Sequence, residues 1–495
     1  MDGFAGRRER GAGRRLWVGL VLLCAAVSLS ACGVMARYQT AATPIPVPKP
    51  KAVVAPTAAT EREHERILAS YGGAYDDPKL EALISKVVER LVAASDRPDQ
   101  SYKVTILNSG AVNAFALPTG QLYVTRGLVA LANDTSELSS VLSHEMAHVL
   151  AKHAAIREDQ ARQAAVVARV VTDMSSDPDV TAFTLAKSKL TMASFSRTQE
   201  FEADDMGVAI SARAHFDPYG ASRFLSSMER NAELKAGKTS LDPRVQDFLS
   251  SHPATPERVQ RAQAAAKQYN SPDNKERDRE DYLSTIDNLV YGEDPSEGFV
   301  RGRRFLHPKL GFTFQAPETF TLDNTAQAVI GVREGVMQAM RFDVVRVPAE
   351  QTLGDYLNSG WMEGVDKTTT EETTINGFPA ASTVAQGDQW QFKVYAMRFN
   401  GDVYRFIFAT RQKSTESDRN VRETVNSFRR LTLDEIQAAR PLRVKVITVQ
   451  PGDTVDSLAH RMGGVDHPTE RFRVLNGLDA RAQVKVRDRV KVVVE

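Results

Sequence analysis

The sequence predicts a multidomain chain: a mainly α-helical domain with a small sheet, then an α+β domain, then a short βααβ module. Three observations carry that expectation. At 495 residues the chain is too long for one ordinary hydrophobic core. Apolar residues recur at helical spacing up to about residue 270, and strand-like alternation takes over from about 297. From about 443 onward, strand, helix, helix and strand signals follow in short order. The composition is that of ordinary globular protein, 42% hydrophobic and 25% charged. With 63 Lys plus Arg against 62 Asp plus Glu, no basic field exists to gather nucleic acid.

The first element is an export signal. Arg7, Arg8, Arg10, Arg14 and Arg15 precede an apolar run, Leu16 to Leu29, that is too short to span a bilayer comfortably. It ends in Leu29-Ser30-Ala31-Cys32, which resembles the lipobox of bacterial lipoproteins. That resemblance implies a signal peptide over residues 1–31 and lipid attachment at Cys32. Gly33 after the cysteine leans towards sorting to the periplasmic face of the outer membrane. A plain signal cut near Ala31 is the alternative. The other of the two cysteines, Cys24, lies inside the signal, so no internal disulfide is expected. Residues 32–57 place Pro44, Pro46, Pro48, Pro50 and Pro56 among small residues and read as an extended tether.

Helical patterning follows. Leu80, Leu83, Ile84, Val87, Val88 and Leu91 form one apolar stripe. Tyr102 to Leu107 alternates like a strand, and Asn113 to Thr125 like two short strands joined through Pro118, Thr119 and Gly120. Thr135 opens a helix whose buried side is Leu138, Val141, Leu142, Met146 and Val149. On it sits His144-Glu145-Met146-Ala147-His148. Residues four apart lie about 40° apart around a helix, so both imidazoles face one ion. Glu145 beside them can take a proton from a water at that ion. Neutral imidazole suits zinc, which lowers the pKa of its water to about 7. His153, five residues past His148, falls off this face and reads as a surface or capping histidine. Another helix opens at Ser196, with Glu200 and Asp204 sharing a face. One carboxylate can ligate a metal while the other orients a ligand histidine through its free N–H.

His144-Glu145-x-x-His148 with Glu200-x-Glu202-Ala203-Asp204, preceded by Asn113-Ala114-Phe115-Ala116-Leu117-Pro118, resembles a known peptidase family. It includes the CAAX prenyl proteases, the mitochondrial Oma-type peptidases and bacterial periplasmic proteases of outer-membrane quality control. The likeness covers residues 60–265 or so and implies a zincin-type domain at 58–270. By that resemblance one zinc ion is held by His144, His148 and Glu200, with Glu145 as base and Asp204 behind a ligand. Glu202 lies outside the ligand set. The sequence departs at Thr119, where relatives commonly have a second glycine. The family also closes its domain with a His-Pro pair and a following arginine, here His252-Pro253 and Arg258. Three readings of His252 stand: it steadies an oxyanion, it takes the open coordination position and silences the enzyme, or it enters the helix near Pro256. Val112 to Leu117 reads as an exposed edge strand able to pair with an extended substrate. Ala164 to Val171 is too short to span a membrane and carries Arg169, which sets prenylated peptides aside as substrates.

Residues 271–296 form a charged linker. The α+β domain at 297–433 has helical segments near Thr352 to Ser359 and Asp418 to Phe428, and its rhythm resembles PsbP-like folds. It carries no catalytic constellation, so a scaffold or binding role is expected. At 443–495, Val449-Gln450-Pro451-Gly452-Asp453-Thr454 and Phe472-Arg473-Val474-Leu475-Asn476-Gly477 resemble a LysM module, which implies peptidoglycan as a partner. An insertion around Gly463 to His467, and Arg487-Asp488-Arg489 where a glycine is usual, leave a purely structural module equally open. The whole reads as a lipid-anchored zinc metalloendopeptidase of the bacterial envelope, acting on unfolded or misassembled envelope proteins. The competing reading is an envelope chaperone or peptidoglycan-binding scaffold with a largely silent zinc site.

Overall fold

The computed structural model describes residues 58–159, 195–235, 248–269, 278–325, 328–333, 338–387, 389–411 and 414–495. The export signal, Cys32, the tether, the 164–171 run and the 271–277 part of the linker lie outside them. Helix α1 spans Ala58–Ser70 and α2 spans Pro78–Ala94. Helix α2 starts where Asp77 accepts a hydrogen bond from the Leu80 N–H and Pro78 pre-sets the first turn. Its apolar stripe is buried against the core, with Leu83 only partly covered.

Strands β1 (Lys103–Leu107), β2 (Ala114–Ala116) and β3 (Gln121–Thr125) form a sheet in the order β1-β3-β2. Strand β1 runs parallel to β3, and β2 adds antiparallel at the edge. The β2–β3 turn passes through Gly120 at φ +85°, where a Cβ would lie 2.7 Å from the Ser101 carbonyl oxygen. Only glycine fits there, so Thr119 departs from the family pattern without costing the turn its required residue.

Helix α3 (Arg126–Leu131) leads into α4 (Thr135–Leu150), capped by Asp134 accepting from the Glu137 N–H. Every residue from Thr135 to His148 is buried, so α4 has no solvent face, unlike the one-sided helix its pattern suggests. Helix α5 (Arg197–Arg213) opens with a capping box between Ser196 and Gln199. It packs closely on α4 at Gly207, where a Cβ would stand 3.1 Å from the His144 nitrogen. Helices α6 (Gly220–Lys235), α7 (Phe248–Ser251), α8 (Pro256–Gln268) and α9 (Arg279–Ile286) complete this region.

A sheet-rich region follows: β4 (Phe299–Arg301), β5 (Arg304–His307), β6 (Phe312–Gln315), β7 (Phe320–Asn324), β8 (Val329–Arg333) and β9 (Gln338–Val345). After α10 (Leu353–Leu357) come β10 (Val365–Ile375), β11 (Phe378–Gln386), β12 (Gln391–Phe399) and β13 (Asp402–Thr410). Helix α11 (Thr415–Asn426), β14 (Arg429–Arg430) and α12 (Leu433–Ala438) close it. Seven strands make one sheet in the order β10-β11-β12-β13-β9-β8-β7, and four make another, β14-β6-β5-β4. Alternation along β13 sends Tyr404, Phe406 and Phe408 into an aromatic core with Phe312, Phe342 and Phe428, while Val403 and Ile407 pack with α10.

The last elements are β15 (Arg443–Thr448), α13 (Val455–Ala459), α14 (Pro468–Leu475) and β16 (Arg489–Val494), with β15 and β16 antiparallel. They share a core with the helical region, since Val444 and Val474 join its apolar cluster. Lys491 is fully buried, and its Nζ donates to the carbonyls of Ala130, Leu131 and Ala132 at 2.8, 3.1 and 2.7 Å. Those acceptors are the orphan carbonyls at the end of α3, and one ammonium group satisfies three of them.

Candidate metal centre

Helix α4 delivers His144, Glu145 and His148, α5 delivers Glu200 and Asp204, and the α7–α8 segment delivers His252 and Arg258. All seven are buried. Nε2 of His144 lies 3.0 Å from Nε2 of His148 and 3.3 Å from Nδ1 of His252. Oε1 of Glu200 lies 2.9 Å from Nδ1 of His252 and 3.6 Å from Nε2 of His148, while Oε2 lies 3.5 Å from Nε2 of His144. Four side chains, His144, His148, Glu200 and His252, thus aim one donor each at a common point.

A zinc ion fits this set. Ligands 2.0–2.1 Å from a tetrahedral ion stand about 3.3 Å apart, and the donor separations here bracket that figure. Charge agrees. Three buried carboxylates, Glu145, Glu200 and Asp204, face one buried guanidinium, Arg258, and a divalent cation offsets that excess. Oε1 of Glu145 is buried without a hydrogen-bond partner, and Nε2 of His252 lies 3.6 Å from it.

The surrounding groups hold these donors in place. Nδ1 of His144 is 3.0 Å from Oδ1 of Asp204. Arg258 grips Asp204 with both Nε and Nη2 at 2.7 Å, and its Nη1 reaches Glu200 Oε2 at 2.7 Å and donates to the Pro253 carbonyl. Helix α8 starts at Pro256 with Thr255 accepting from the Arg258 N–H, so this arginine serves both the helix entry and the site. His252 stacks on Phe248 at 4.4 Å and 19°. The Phe248 N–H donates to the Val112 carbonyl and the Phe195 N–H to the Ser251 carbonyl, both at 3.1 Å. The His252 segment is therefore tied to the chain entering β2 and to the chain entering α5.

These contacts shift the titrating groups. Burial disfavours an imidazolium at His144, but its hydrogen bonds to Asp204 and Glu200 outweigh that and raise it to about 9. Burial and two facing imidazoles push His148 far below the usual range. Burial raises Glu145, which moves a carboxylate towards the range of a useful base at neutral pH. Burial would raise Glu200 too, yet hydrogen bonds from His144 and His252 hold it well below the ordinary carboxylate range.

One sequence expectation is corrected. His153 is not a surface histidine: it is buried, with Nδ1 2.9 Å from Nδ1 of His148 and Nε2 3.3 Å from Oε2 of Glu202. Helix α4 ends at Leu150, and Lys152 adopts φ +56°, which turns the chain so that 153–159 form a new helical stretch. Neither Ala151 nor Lys152 announces a break, so extrapolating the helix placed His153 about 140° away from His148. Phe195, whose ring lies 4.1 Å from that of His148, was also missed; an isolated phenylalanine before a capping serine gives no warning.

Residues 78–266 match the model of Peptidase family M48. The chain is 29% identical over 179 residues to the mitochondrial metalloendopeptidase OMA1 of Schizosaccharomyces pombe (strain 972 / ATCC 24843), a stretch covering 36% of this chain and 50% of that one. It is 29% identical over 202 residues to the beta-barrel assembly-enhancing protease of Escherichia coli (strain K12), covering 39% and 40%. The chain spans half the length or less of these curated relatives. Among solved structures, cyanobacterial PsbP from Synechocystis sp. PCC 6803 aligns at 15% identity with a TM-score of 0.21, covering 28% of this chain and 98% of that one. A score that low assigns no fold.

Proposed function

With an M48 peptidase domain at residues 78–266 as the premise, we propose that this chain is a zinc-dependent endopeptidase of the bacterial cell envelope that cleaves unfolded or misassembled envelope proteins. The observation that carries the reading is the buried His144, His148, Glu200 and His252 donor cluster beside the unpaired carboxylate oxygen of Glu145. His144, His148 and Glu200 would hold the ion; Asp204, clamped by Arg258, fixes the His144 ring. Zinc there would supply a Lewis acid for the scissile carbonyl and a water acidified to a pKa of about 7. Glu145 takes the proton of the attacking water and delivers it to the leaving amine. Edge strand β2 pairs with the extended substrate through main-chain hydrogen bonds, which suits a protease indifferent to most side chains. In this reading His252 acts as the gate: its Nδ1 lies among the donors, where it would compete with water for the ion.

The envelope setting is supported by the export signal and by the printed name of the Escherichia coli relative. In this reading residues 1–31 are removed, Cys32 is lipidated and 32–57 tether the chain to the periplasmic face of the outer membrane. The peptidase domain is proposed to start at 58 and to extend past 270, because helix α9, which falls in the stretch expected as a charged linker (271–296), buries Tyr282, Leu283 and Ile286 in the helical core. A PsbP-like scaffold at 297–433 and a LysM-like module at 443–495 follow. The βααβ order of the last segment supports that assignment. Peptidoglycan is the partner this module would bring.

One observation favours the silent-scaffold reading. Four protein donors surround the centre, and structural zinc sites are closed in that way. A structural site has no use for a buried carboxylate oxygen that accepts no hydrogen bond, and Oε1 of Glu145 therefore supports the enzyme. Glu145→Gln separates the two. Zinc content and fold should persist while hydrolysis of unfolded casein falls at least about a hundredfold. Activity equal to wild type removes Glu145 from the mechanism, and a wild type that holds zinc without cleaving any unfolded protein supports the scaffold.

A further inference from the structure

His153 contributes nothing to the donor cluster, yet it is 1% exposed and directly faces a histidine that does. We infer that His153 is a positioning residue for the metal centre: it fixes the His148 ring by accepting a hydrogen bond from its Nδ1–H, and Glu202 in turn fixes His153. The inference rests on reading His148 as a zinc ligand.

Chemistry dictates where the protons lie. A neutral imidazole that offers Nε2 to a metal carries its proton on Nδ1. In His148 that Nδ1 stands 2.9 Å from Nδ1 of His153, which must present a lone pair to receive it. His153 therefore carries its own proton on Nε2, and Oε2 of Glu202 accepts it at 3.3 Å. One protonation pattern satisfies all three groups. The other tautomer of His153 would set two N–H groups against each other and leave the carboxylate facing a bare nitrogen.

The fold builds this chain of contacts on purpose-shaped backbone. Lys152, in the left-handed region at φ +56°, turns the chain back after α4 and brings His153 under His148. Helix α5 supplies Glu200 to the donor cluster and, two residues on, Glu202 to His153. The two ligand histidines are then anchored differently. His144 rests on Asp204, a carboxylate neutralised by Arg258, whereas His148 rests on a neutral imidazole whose own carboxylate is 56% exposed. Partners of this kind set the tautomer and orientation of ligand histidines, and losing one weakens metal binding by about 10–100-fold.

The test measures zinc affinity of the full chain by competition with a chromophoric chelator, comparing His153→Leu with His153→Asn. Asparagine places an acceptor oxygen near the position of Nδ1; leucine does not. The Leu variant should bind zinc at least about tenfold more weakly, and the Asn variant within about threefold of wild type. The metal-free unfolding midpoints of the two variants should match. Equal zinc affinities for the two variants, whether both strong or both weak, overturn the relay and leave His153 a packing residue. Should His153→Leu fail to fold, Glu202 carries the test from the surface. Glu202→Lys, which cannot accept from Nε2–H, should weaken zinc about tenfold, and Glu202→Gln by less than about threefold. Wild-type affinity in both overturns the inference. A wild type that takes up no zinc defeats the metal-site reading itself, a result distinct from either.

Discussion

Replacing His252 with alanine should switch the protease on. Closing the site relies on contacts that must be surrendered when the imidazole swings out. The stack on Phe248 is worth about 0.5–1.5 kcal/mol. The two backbone hydrogen bonds that pin the segment, from Phe248 to Val112 and from Phe195 to Ser251, contribute about 0.5–1.5 kcal/mol each if the whole segment lifts. The swing also gives up the His252 hydrogen bond to Oε1 of Glu200, worth about 1.5–3 kcal/mol as a bond to a charged group, so a side-chain swing costs about 3 kcal/mol and lifting the segment about 5 kcal/mol. At 1.4 kcal/mol per factor of ten, His252→Ala should raise basal hydrolysis by about a hundredfold in the first case and by about three thousandfold in the second. The assay is initial-rate cleavage of a quenched unfolded substrate with zinc content matched between proteins. A fall in turnover of about 10²–10³ would refute the gate and mark His252 as an oxyanion donor. Unchanged turnover would refute both and leave it a residue at the entry to α8.

Glu200→Ala should leave purified protein without zinc by metal analysis and Glu202→Ala should retain one equivalent; the reverse result would exchange their roles. Cys32→Ser should abolish lipid labelling and move the protein from the membrane to the soluble periplasmic fraction; a variant that stays with the membrane points to another attachment. His307 predicts an acid-sensitive sheet region. Burial, helped by Lys309, lowers this histidine to about 4, and its Nδ1 accepts the Leu310 N–H. Because the folded value lies below the unfolded one of about 6.5, stability is complete above pH 6.5 and is lost as pH falls towards 4. The loss amounts to at most about 3 kcal/mol, and His307→Asn, which keeps an acceptor and does not titrate, should flatten it in urea titrations at pH 7 and pH 4.

The donors on α4 were legible because a helix converts spacing into direction without help from the rest of the fold. His144 and His148 lie on one face whatever packs around them, and the run from Ser196 reads as a helix with Glu200 and Asp204 four apart on one face, as found. His153 was illegible for the converse reason. Its place depends on one backbone rotation at Lys152, a residue with no preference for positive φ, and tertiary contacts alone select that conformation. Likewise, Phe195 meets His148 only because segments 47 residues apart in sequence come together at the site.

Composition also separated the chain too cleanly into modules. The shift from helical to alternating patterning near residue 297 marks a real change of architecture, since the helices give way to two antiparallel sheets. The tail differs. Val444 and Lys491 sit in strands whose sequence suits a free-standing unit, yet both are buried against the helical region. A lysine among valines in β16 reads from sequence as the exposed position of an edge strand. Here its ammonium group lies inside, over the three carbonyls that end α3, and next to the loop from which Asp134 and Glu137 start α4. A buried cation is tolerable only where acceptors wait for each of its protons, and a helix C-terminus offers them. The sequence could not reveal this pairing because its two halves lie some 360 residues apart. The consequence is structural coupling: the segment that resembles an independent binding module is built into the foundation of the helix that carries His144, Glu145 and His148.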